Sequence, residues 1–121
     1  MKLPISIAAV LLAFSLPASA EKLVCSIKAT KGAAGLEKMA KISKDAAMKS
    51  ALAKVHGTIS KSELEVEDGC LVYSFDVKVA GKSGAEELYV DAGNGKVIYH
   101  KHESAMKEAL EKAGDKVKPK K

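Results

Sequence analysis

Two histidines and a nearby carboxylate are the residues of this chain whose types and spacing best suit metal chemistry. His100 and His102 are two residues apart, so on a β-strand their side chains point the same way, with Cα atoms about 7 Å apart. We expect Glu87 or Tyr89 to lie across from them, and two imidazoles with a carboxylate suit Zn²⁺ or Cu²⁺. The alternative, which we favour, is two exposed histidines at the end of a strand.

Three glutamates alternate along an earlier segment and form a second group of potential metal ligands. Glu63, Glu65 and Glu67 would share one face of a strand, where they could attract Ca²⁺. Ca²⁺ sites usually draw their oxygen ligands from loops, so this row is more typical of the solvated face of a sheet. Neither group leads us to predict a metal site.

Cys25 and Cys70 are the only cysteines, and they bring the chemistry of thiol oxidation. In an exported protein an even count favours an internal disulfide. Closing that loop stabilises the fold by roughly 4 kcal/mol in the chain-entropy model. The alternative is two separate thiols that pair with other molecules. A nucleophilic Cys70 is also conceivable, but no local motif supports it.

Signatures of catalysis are missing from the sequence. It contains no G-x-S-x-G, no H-E-x-x-H, no phosphate-binding loop and no dinucleotide fingerprint. Gly93-Asn94-Gly95 is better explained as a tight hairpin turn than as a phosphate cradle, because strand patterns flank it. We therefore expect a protein that is not an enzyme and has no cofactor.

The first 20 residues have the pattern of a secretory signal peptide. Lys2 supplies a positive charge, residues 5–16 are apolar apart from two serines, and A-S-A at positions 18–20 fits the cleavage rule. The apolar run is shorter than the ~20 residues that a membrane span needs. We therefore expect a mature chain that begins near Glu21, is periplasmic or secreted, and has no transmembrane segment.

The formal net charge of +5 arises mainly at the two ends of the chain. From Glu21 to Asp115 lysines and carboxylates are equal in number, and more lysines crowd the last six residues. Nucleic-acid-binding domains usually carry a basic patch with arginine or stacking aromatic groups. This chain has no arginine and no tryptophan, so we exclude nucleic acid as a partner.

Residues 42–103 have the pattern of one helix followed by two β-hairpins. Ser43 is a good N-cap, and Gly57 suits a left-handed helix stop. Asp68-Gly69 and Asn94-Gly95 are strong hairpin turns. The predicted fold is α+β: a four-stranded antiparallel sheet of two hairpins with one helix packed across one face, plus a short C-terminal helix.

Alternation along the strands assigns side chains to the two faces of the predicted sheet. The face towards the helix forms the predicted core: Met48, Leu52, Tyr73, Phe75, Leu88, Val90, Val97 and Tyr99. The opposite face is predicted to carry Val72, Glu87, Tyr89, Asp91, Ile98, His100 and His102.

The order of these elements, with V-D-A-x-x-G-K-V-I at positions 90–98, resembles the PepSY domain. The family's helix entry, helix stop and first two strands are matched by Ile42 to Ala47, Gly57, Leu64-Glu65, Tyr73 and Val77. In the propeptides of thermolysin-type metalloproteases such a domain helps to hold the protease domain inactive. The resemblance covers roughly half of the chain and implies a module that binds a protein, with an exported peptidase as the candidate partner.

The predicted organisation has four parts: a signal peptide (1–20), an N-terminal arm and linker (21–41), a PepSY domain (42–103), and a short helix with a basic tail (104–121). Val72, Tyr89 and Ile98 lie among charged groups on the outer face, a mixture compatible with a modest interface. Both edge strands are also able to add a partner's strand. A periplasmic metal-binding accessory protein that uses His100 and His102 is the alternative function, and the oligomeric state is open.

Overall fold

The computed structural model describes residues 22–107, 109 and 110, and an antiparallel sheet forms its centre. The elements are α1 Leu36–Met39, α2 Lys44–Lys54, β1 Thr58–Glu67, β2 Cys70–Lys78, β3 Ala85–Asp91 and β4 Val97–Glu103. The sheet has the order β1-β2-β3-β4, with antiparallel neighbours throughout. The predicted α+β fold is confirmed. The predicted signal peptide and basic tail lie outside the described residues.

Helix α2 begins and ends where its flanking residues predict, although one of the reasons differs. The Ser43 hydroxyl accepts a hydrogen bond from the Ala46 N–H at 3.1 Å, as an N-cap does. Gly57 lacks the positive φ that we predicted for it. Glycine is needed there because a Cβ would collide with the Lys78 carbonyl oxygen of β2. The chain therefore passes from helix to sheet by a close backbone approach.

The core lies between α2 and the inner face of the sheet. Ala47 and Ala51 are fully buried on the helix, and Met48 and Leu52 are partly buried beside them. The buried residues of the sheet that pack in this core are Val66, Leu71, Tyr73, Phe75, Val77, Leu88 and Val90. The Tyr73 hydroxyl donates a hydrogen bond to the Ile42 carbonyl at 2.9 Å, which ties the helix entry to β2.

The first hairpin has the predicted register. Glu67 pairs with Cys70, and Leu64 pairs with Tyr73. Asp68 and Gly69 have φ values of 48° and 76°, as a two-residue turn with two left-handed residues requires. The turn chemistry and the alternation of apolar residues agree, so the pairing is well determined.

The second hairpin contains a β-bulge that the sequence analysis did not predict. Val90 pairs with Val97, but the next pair is Tyr89 with Tyr99, so Ile98 is an extra residue in β4. The bulge reverses the alternation of the rest of the strand. Tyr99 therefore lies on the outer face instead of the core. His100 lies opposite the core residue Leu88, on the inner side of the sheet instead of the outer side.

The N-terminal arm, residues 22–29, lies against the start of β2. A disulfide joins Cys25 to Cys70, and a single bridge pairs Lys28 with Cys70. The Leu71 N–H donates to the Ile27 carbonyl at 3.0 Å. The favoured pairing of the two cysteines is thus present in the structure, and it brings the arm onto one end of the outer face.

Two short helical segments lie at the ends of the PepSY-like region. α1 is a single turn inside the segment that we predicted to be a linker. Ser104 begins the second segment, because its hydroxyl accepts from the Lys107 N–H at 3.1 Å, and residues 105–107, 109 and 110 are helical. Within the described residues, none of the helices has the length and apolar character needed to cross a membrane.

Candidate functional site

Asp91 fastens the N-terminal arm to the turn of the second hairpin. Its fully buried carboxylate accepts hydrogen bonds from the Ser26 N–H at 2.8 Å, the Ser26 hydroxyl at 2.6 Å and the Gly93 N–H at 2.7 Å. Burial alone would raise the pKa of Asp91, but these bonds and one from Asn94 outweigh it and lower the pKa. Asp91 is therefore a buried anion with a structural role.

The arm also explains why two predicted outer-face residues are not accessible. We expected Asp91 and Val72 to be exposed, and both have 0% exposure. Val72 pairs with Asp91 and lies two residues from the disulfide-bonded Cys70 on the same face. The predicted partner surface is therefore incorrect at Val72.

The two histidines lie beside Glu86, and the predicted Glu87 is on the other face of the sheet. His102 Nδ1 is 2.9 Å from Glu86 Oε2, and His100 Nε2 is 3.8 Å from Glu86 Oε1. Glu87 instead pairs with Lys101, because the bulge at Ile98 shifts the register by one residue.

The two histidines do not belong to a compact set of metal ligands. Among the described residues, three potential metal ligands have donor atoms within 4.8 Å of one another. Neither His100 nor His102 is one of these three residues. Both histidines are solvent-accessible near the end of an edge strand. The exposure of both side chains agrees with the interpretation that we favoured, two exposed histidines at the end of a strand.

The compact set of ligand groups lies on the outer face and consists of Asp76, Glu87 and Glu103. Asp76 pairs directly with Glu87 across β2 and β3, and Glu103 is the last residue of β4. Glu103 is only 3% exposed. Its Oε1 is 3.4 Å from Lys107 Nζ, whereas its buried Oε2 has no hydrogen-bond partner within the part of the chain that the structure describes. We call these three residues the acidic cluster.

The electrostatics of the acidic cluster favour a bound positive charge or a proton. Burial is the main reason why the pKa of Glu87 rises from 4.5 to about 7, and the neighbouring Glu103 and Asp76 raise it further. The pKa of Tyr89 is also raised, first by burial and then by its hydrogen bond to Glu87. The cluster therefore binds a proton more tightly than isolated carboxylates do.

An apolar groove lies next to the acidic cluster on the same face. The rings of Tyr89 and Tyr99 are stacked, with centroids 4.5 Å apart and planes 19° from parallel. They form one side of an open groove of about 660 Å³ that is lined by Lys22, Leu23, Val24, Glu67, Asp68, Tyr89, Ile98 and Tyr99. We call it the tyrosine groove. Val24 stands at its margin with 84% exposure.

The tyrosine groove contains two of the three predicted partner-surface residues, Tyr89 and Ile98. Tyr99 was not predicted on this face, because the bulge is not visible in the alternation of the strand. Leu23 and Val24 were not predicted there either. The cysteines were the signal that could have found these two residues, since a bond from Cys25 to Cys70 must bring the arm to this end of the sheet.

A row of acidic side chains continues the outer face on the side of β1. Glu63, Glu65 and Glu67 line a shallow polar depression together with Tyr89 and the acidic-cluster residues Asp76 and Glu87. Lys61 Nζ lies 3.7 Å from Glu63 Oε1, and this pair is well exposed. Glu63 is exposed, whereas Glu65 and Glu67 are partly buried. The row extends the negative charge beyond the cluster.

Comparison with known proteins assigns the chain to a family. The family model described as the peptidase propeptide and YPEB domain, PepSY, matches residues 41–101. No curated protein and no solved structure is significantly similar to the chain. The matched half of the chain includes α2, three complete strands and most of β4, and it begins after the arm that completes the tyrosine groove. This chain belongs to the PepSY family.

Proposed function

We propose that this protein is an exported, non-enzymatic PepSY module that binds a protein partner through the tyrosine groove. The observation that carries the proposal is the stacked pair Tyr89 and Tyr99 beside the exposed Val24. Tyrosine is enriched at protein interfaces because it combines a large apolar ring with a polar hydroxyl. The family supports a role in binding, since PepSY domains belong to peptidase propeptides.

The tyrosine groove is held in shape before any partner binds. The disulfide at Cys25 and the hydrogen bonds of Ser26 fix the arm directly after its groove-lining residues Leu23 and Val24. Tyr89 and Tyr99 are paired across two adjacent strands. A surface that is already ordered loses little conformational entropy on binding, which favours affinity.

The charge around the groove favours a partner with basic side chains. Glu67 and Asp68 outnumber one lysine, Lys22, in the lining of the groove, and the acidic row and acidic cluster extend from it along the face. Complementary charge accelerates association and restricts the choice of partner. We therefore propose an exported peptidase that presents an apolar side chain flanked by lysine or arginine.

The chemistry of the cysteines also supports binding instead of catalysis. Cys70, which we considered as a nucleophile, is held in the disulfide and is fully buried. A disulfide-bonded sulfur has no thiolate to attack a substrate. The groove offers tyrosines and carboxylates, and these groups suit recognition of a surface.

The test measures binding to exported metallopeptidases of the same organism, together with their residual activity. We expect binding at micromolar concentration that weakens tenfold or more in Tyr99→Ala, as for an aromatic residue at the centre of an interface. His100→Ala is the matched control, because it changes the same strand on the opposite face. Inhibition would support a propeptide-like role, and binding without inhibition would reduce the proposal to a binding module. If none of the peptidases binds, the proposal is wrong.

A further inference from the structure

We propose that Asp76, Glu87 and Glu103 form a binding site for one divalent cation with a preference for oxygen ligands, and that Ca²⁺ fits it best. This inference is separate from the proposed partner of the tyrosine groove. The three carboxylates come from three adjacent strands, β2, β3 and β4. A sheet holds such ligands more rigidly than a loop does.

The spacing of the oxygen atoms brings all three close enough to surround one metal ion. Each residue offers one carboxylate oxygen, and all three oxygens lie within 4.8 Å of one another. Two ligands on opposite sides of Ca²⁺ are up to about 4.8 Å apart, because each Ca–O bond is about 2.4 Å long. Mg²⁺ would require pairs no more than ~4.1 Å apart and near-ideal octahedral geometry. We propose Ca²⁺ for this set because it accepts longer and more variable metal–oxygen bonds than Mg²⁺ does.

The buried Glu103 carboxylate provides an independent indication of a ligand. Glu103 is 3% exposed, and among the described residues its Oε2 has no hydrogen-bond donor while Glu87 is ionised. Buried carboxylate oxygens are normally satisfied by a donor or a metal ion, because an unpaired one is costly. The oxygens of Asp76 and Glu87 that lie closest to Glu103 are acceptors when ionised. A cation between the three groups would satisfy the unpartnered oxygen.

The surroundings of the acidic cluster complete the site. Tyr89 forms a hydrogen bond with Glu87, and Lys107 forms an ion pair with Oε1 of Glu103. These contacts fix the orientation of both carboxylates, as neighbouring groups commonly do for metal ligands. Lys61 pairs with Asp76 and Lys101 pairs with Glu87 in the sheet register, which balances part of the negative charge. Asp76 and Glu87 are only partly buried, which leaves room for water to supply the remaining ligands.

A proton shared between Glu87 and Glu103 is the competing explanation of the same geometry. A protonated carboxyl would donate to the unpartnered oxygen and would need no metal. The two explanations differ in what stabilises the protein. A shared proton makes stability depend on pH alone, whereas a cation site makes it depend on the concentration of Ca²⁺ at constant pH.

The experiment titrates the purified, chelator-treated protein with CaCl₂ at constant pH and records calorimetric binding and thermal unfolding. Glu103→Gln removes the charge of the buried ligand with little change of shape, and Glu63→Gln is the matched control on the same face. Tb³⁺ luminescence gives a second measurement, since the chain has no tryptophan and Tyr89 would sensitise a bound ion.

We expect one Ca²⁺ per chain, a higher melting temperature with Ca²⁺, and binding at least tenfold weaker in Glu103→Gln but unchanged in Glu63→Gln. Circular dichroism of both variants checks that they fold. Absence of Ca²⁺ uptake at millimolar concentration would overturn the proposal. An equal loss of Ca²⁺ affinity in the two variants would also overturn it. So would a melting temperature that changes with pH but not with Ca²⁺ concentration, which is the result expected for a shared proton.

Discussion

Ser26 and Asp91, which are 65 residues apart in the sequence, are joined by two hydrogen bonds of 2.8 and 2.6 Å. One bond comes from the backbone N–H of Ser26 and the other from its hydroxyl, so the serine uses both of its donors on one carboxylate. The family match begins at residue 41, yet this contact makes the preceding arm part of the folded unit. The arm should therefore be retained in any experiment on the groove.

Removal of the Asp91 carboxylate should destabilise the protein strongly. Asp91→Ala removes the charged acceptor of three hydrogen bonds from Ser26 and Gly93, and we expect a loss of about 2–4 kcal/mol in the free energy of unfolding. Ser26→Ala removes only the hydroxyl and should cost about 1 kcal/mol. Urea denaturation at neutral pH measures both. Equal stability of Asp91→Ala and the wild type would show that the arm is not fastened in this way.

The disulfide should be present in the purified protein and should contribute to its stability. Mass spectrometry under non-reducing conditions should give a mass two hydrogens below that of the reduced chain. The cysteines are separated by 45 residues, so their reduction should lower the free energy of unfolding by roughly 4 kcal/mol in the chain-entropy model. Recovery of two free thiols from the exported protein would contradict the prediction.

Core truncations should be ranked by the burial of the residue that is removed. Phe75 is fully buried in the centre of β2, so Phe75→Ala should cost about 3–5 kcal/mol. Leu52 is only partly buried on α2, and Leu52→Ala should cost less. Val24→Ala, at an exposed position, serves as the control with almost no effect on stability. Denaturant midpoints of the three variants test the order, and a smaller loss for Phe75→Ala than for Leu52→Ala would contradict it.

Glu87 should make the cation-free protein less stable as the pH rises from about 4.5 to 7. Its pKa is 4.5 in the unfolded chain and about 7 in the folded protein, so the folded state binds the proton more tightly. This contribution is fully present below pH 4.5 and is lost as the pH passes 7. Solvent screens the half-exposed side chain, so we expect a loss of only about 1 kcal/mol.

Chelator-treated protein and Glu87→Gln, compared by urea denaturation across this pH range, test the prediction. In Glu87→Gln, the free energy of unfolding should depend much less on pH than in the wild type. Burial raises the pKa of Glu65 as well, so Glu65→Gln should remove a smaller part of this pH dependence. Asp91 acts in the opposite direction, because its pKa is lowered, and its contribution is lost only as the pH falls below its usual value of 3.8. An unchanged slope in Glu87→Gln would exclude Glu87 as the source.

The sequence predicts those parts of the sheet that depend on local signals. Asp68-Gly69 determines the first turn, and the apolar residues on both sides of it require the observed pairing of Leu64 with Tyr73. The second hairpin lacks such a check. Val97, Ile98 and Tyr99 are all suited to a strand, so nothing in their composition marks the extra residue.

The burial of Val72 and Asp91 on the outer face was not predicted, because the arm that lies at this end of the face comes from a distant part of the sequence. Burial of Asp91 depends on Ser26, and no local pattern near either residue indicates the contact. The acidic cluster was missed for a related reason, since Asp76, Glu87 and Glu103 are brought together only by the order and register of three strands. Glu87 was predicted to lie across from His100 and His102, but the register pairs it with Lys101 and brings it beside Asp76 and Glu103.

The bond between Cys25 and Cys70 also determines how the protein responds to mechanical force. It closes a covalent ring that contains α1, α2 and β1. Tension applied to the two ends of the chain passes through the disulfide and bypasses the ring. The segment between the cysteines, which are 45 residues apart, therefore cannot be extended. At up to about 3.6 Å per extended residue, this withholds roughly 160 Å of chain from extension. A partner or unfolding machine that pulls on the protein can draw out only the strands that follow Cys70.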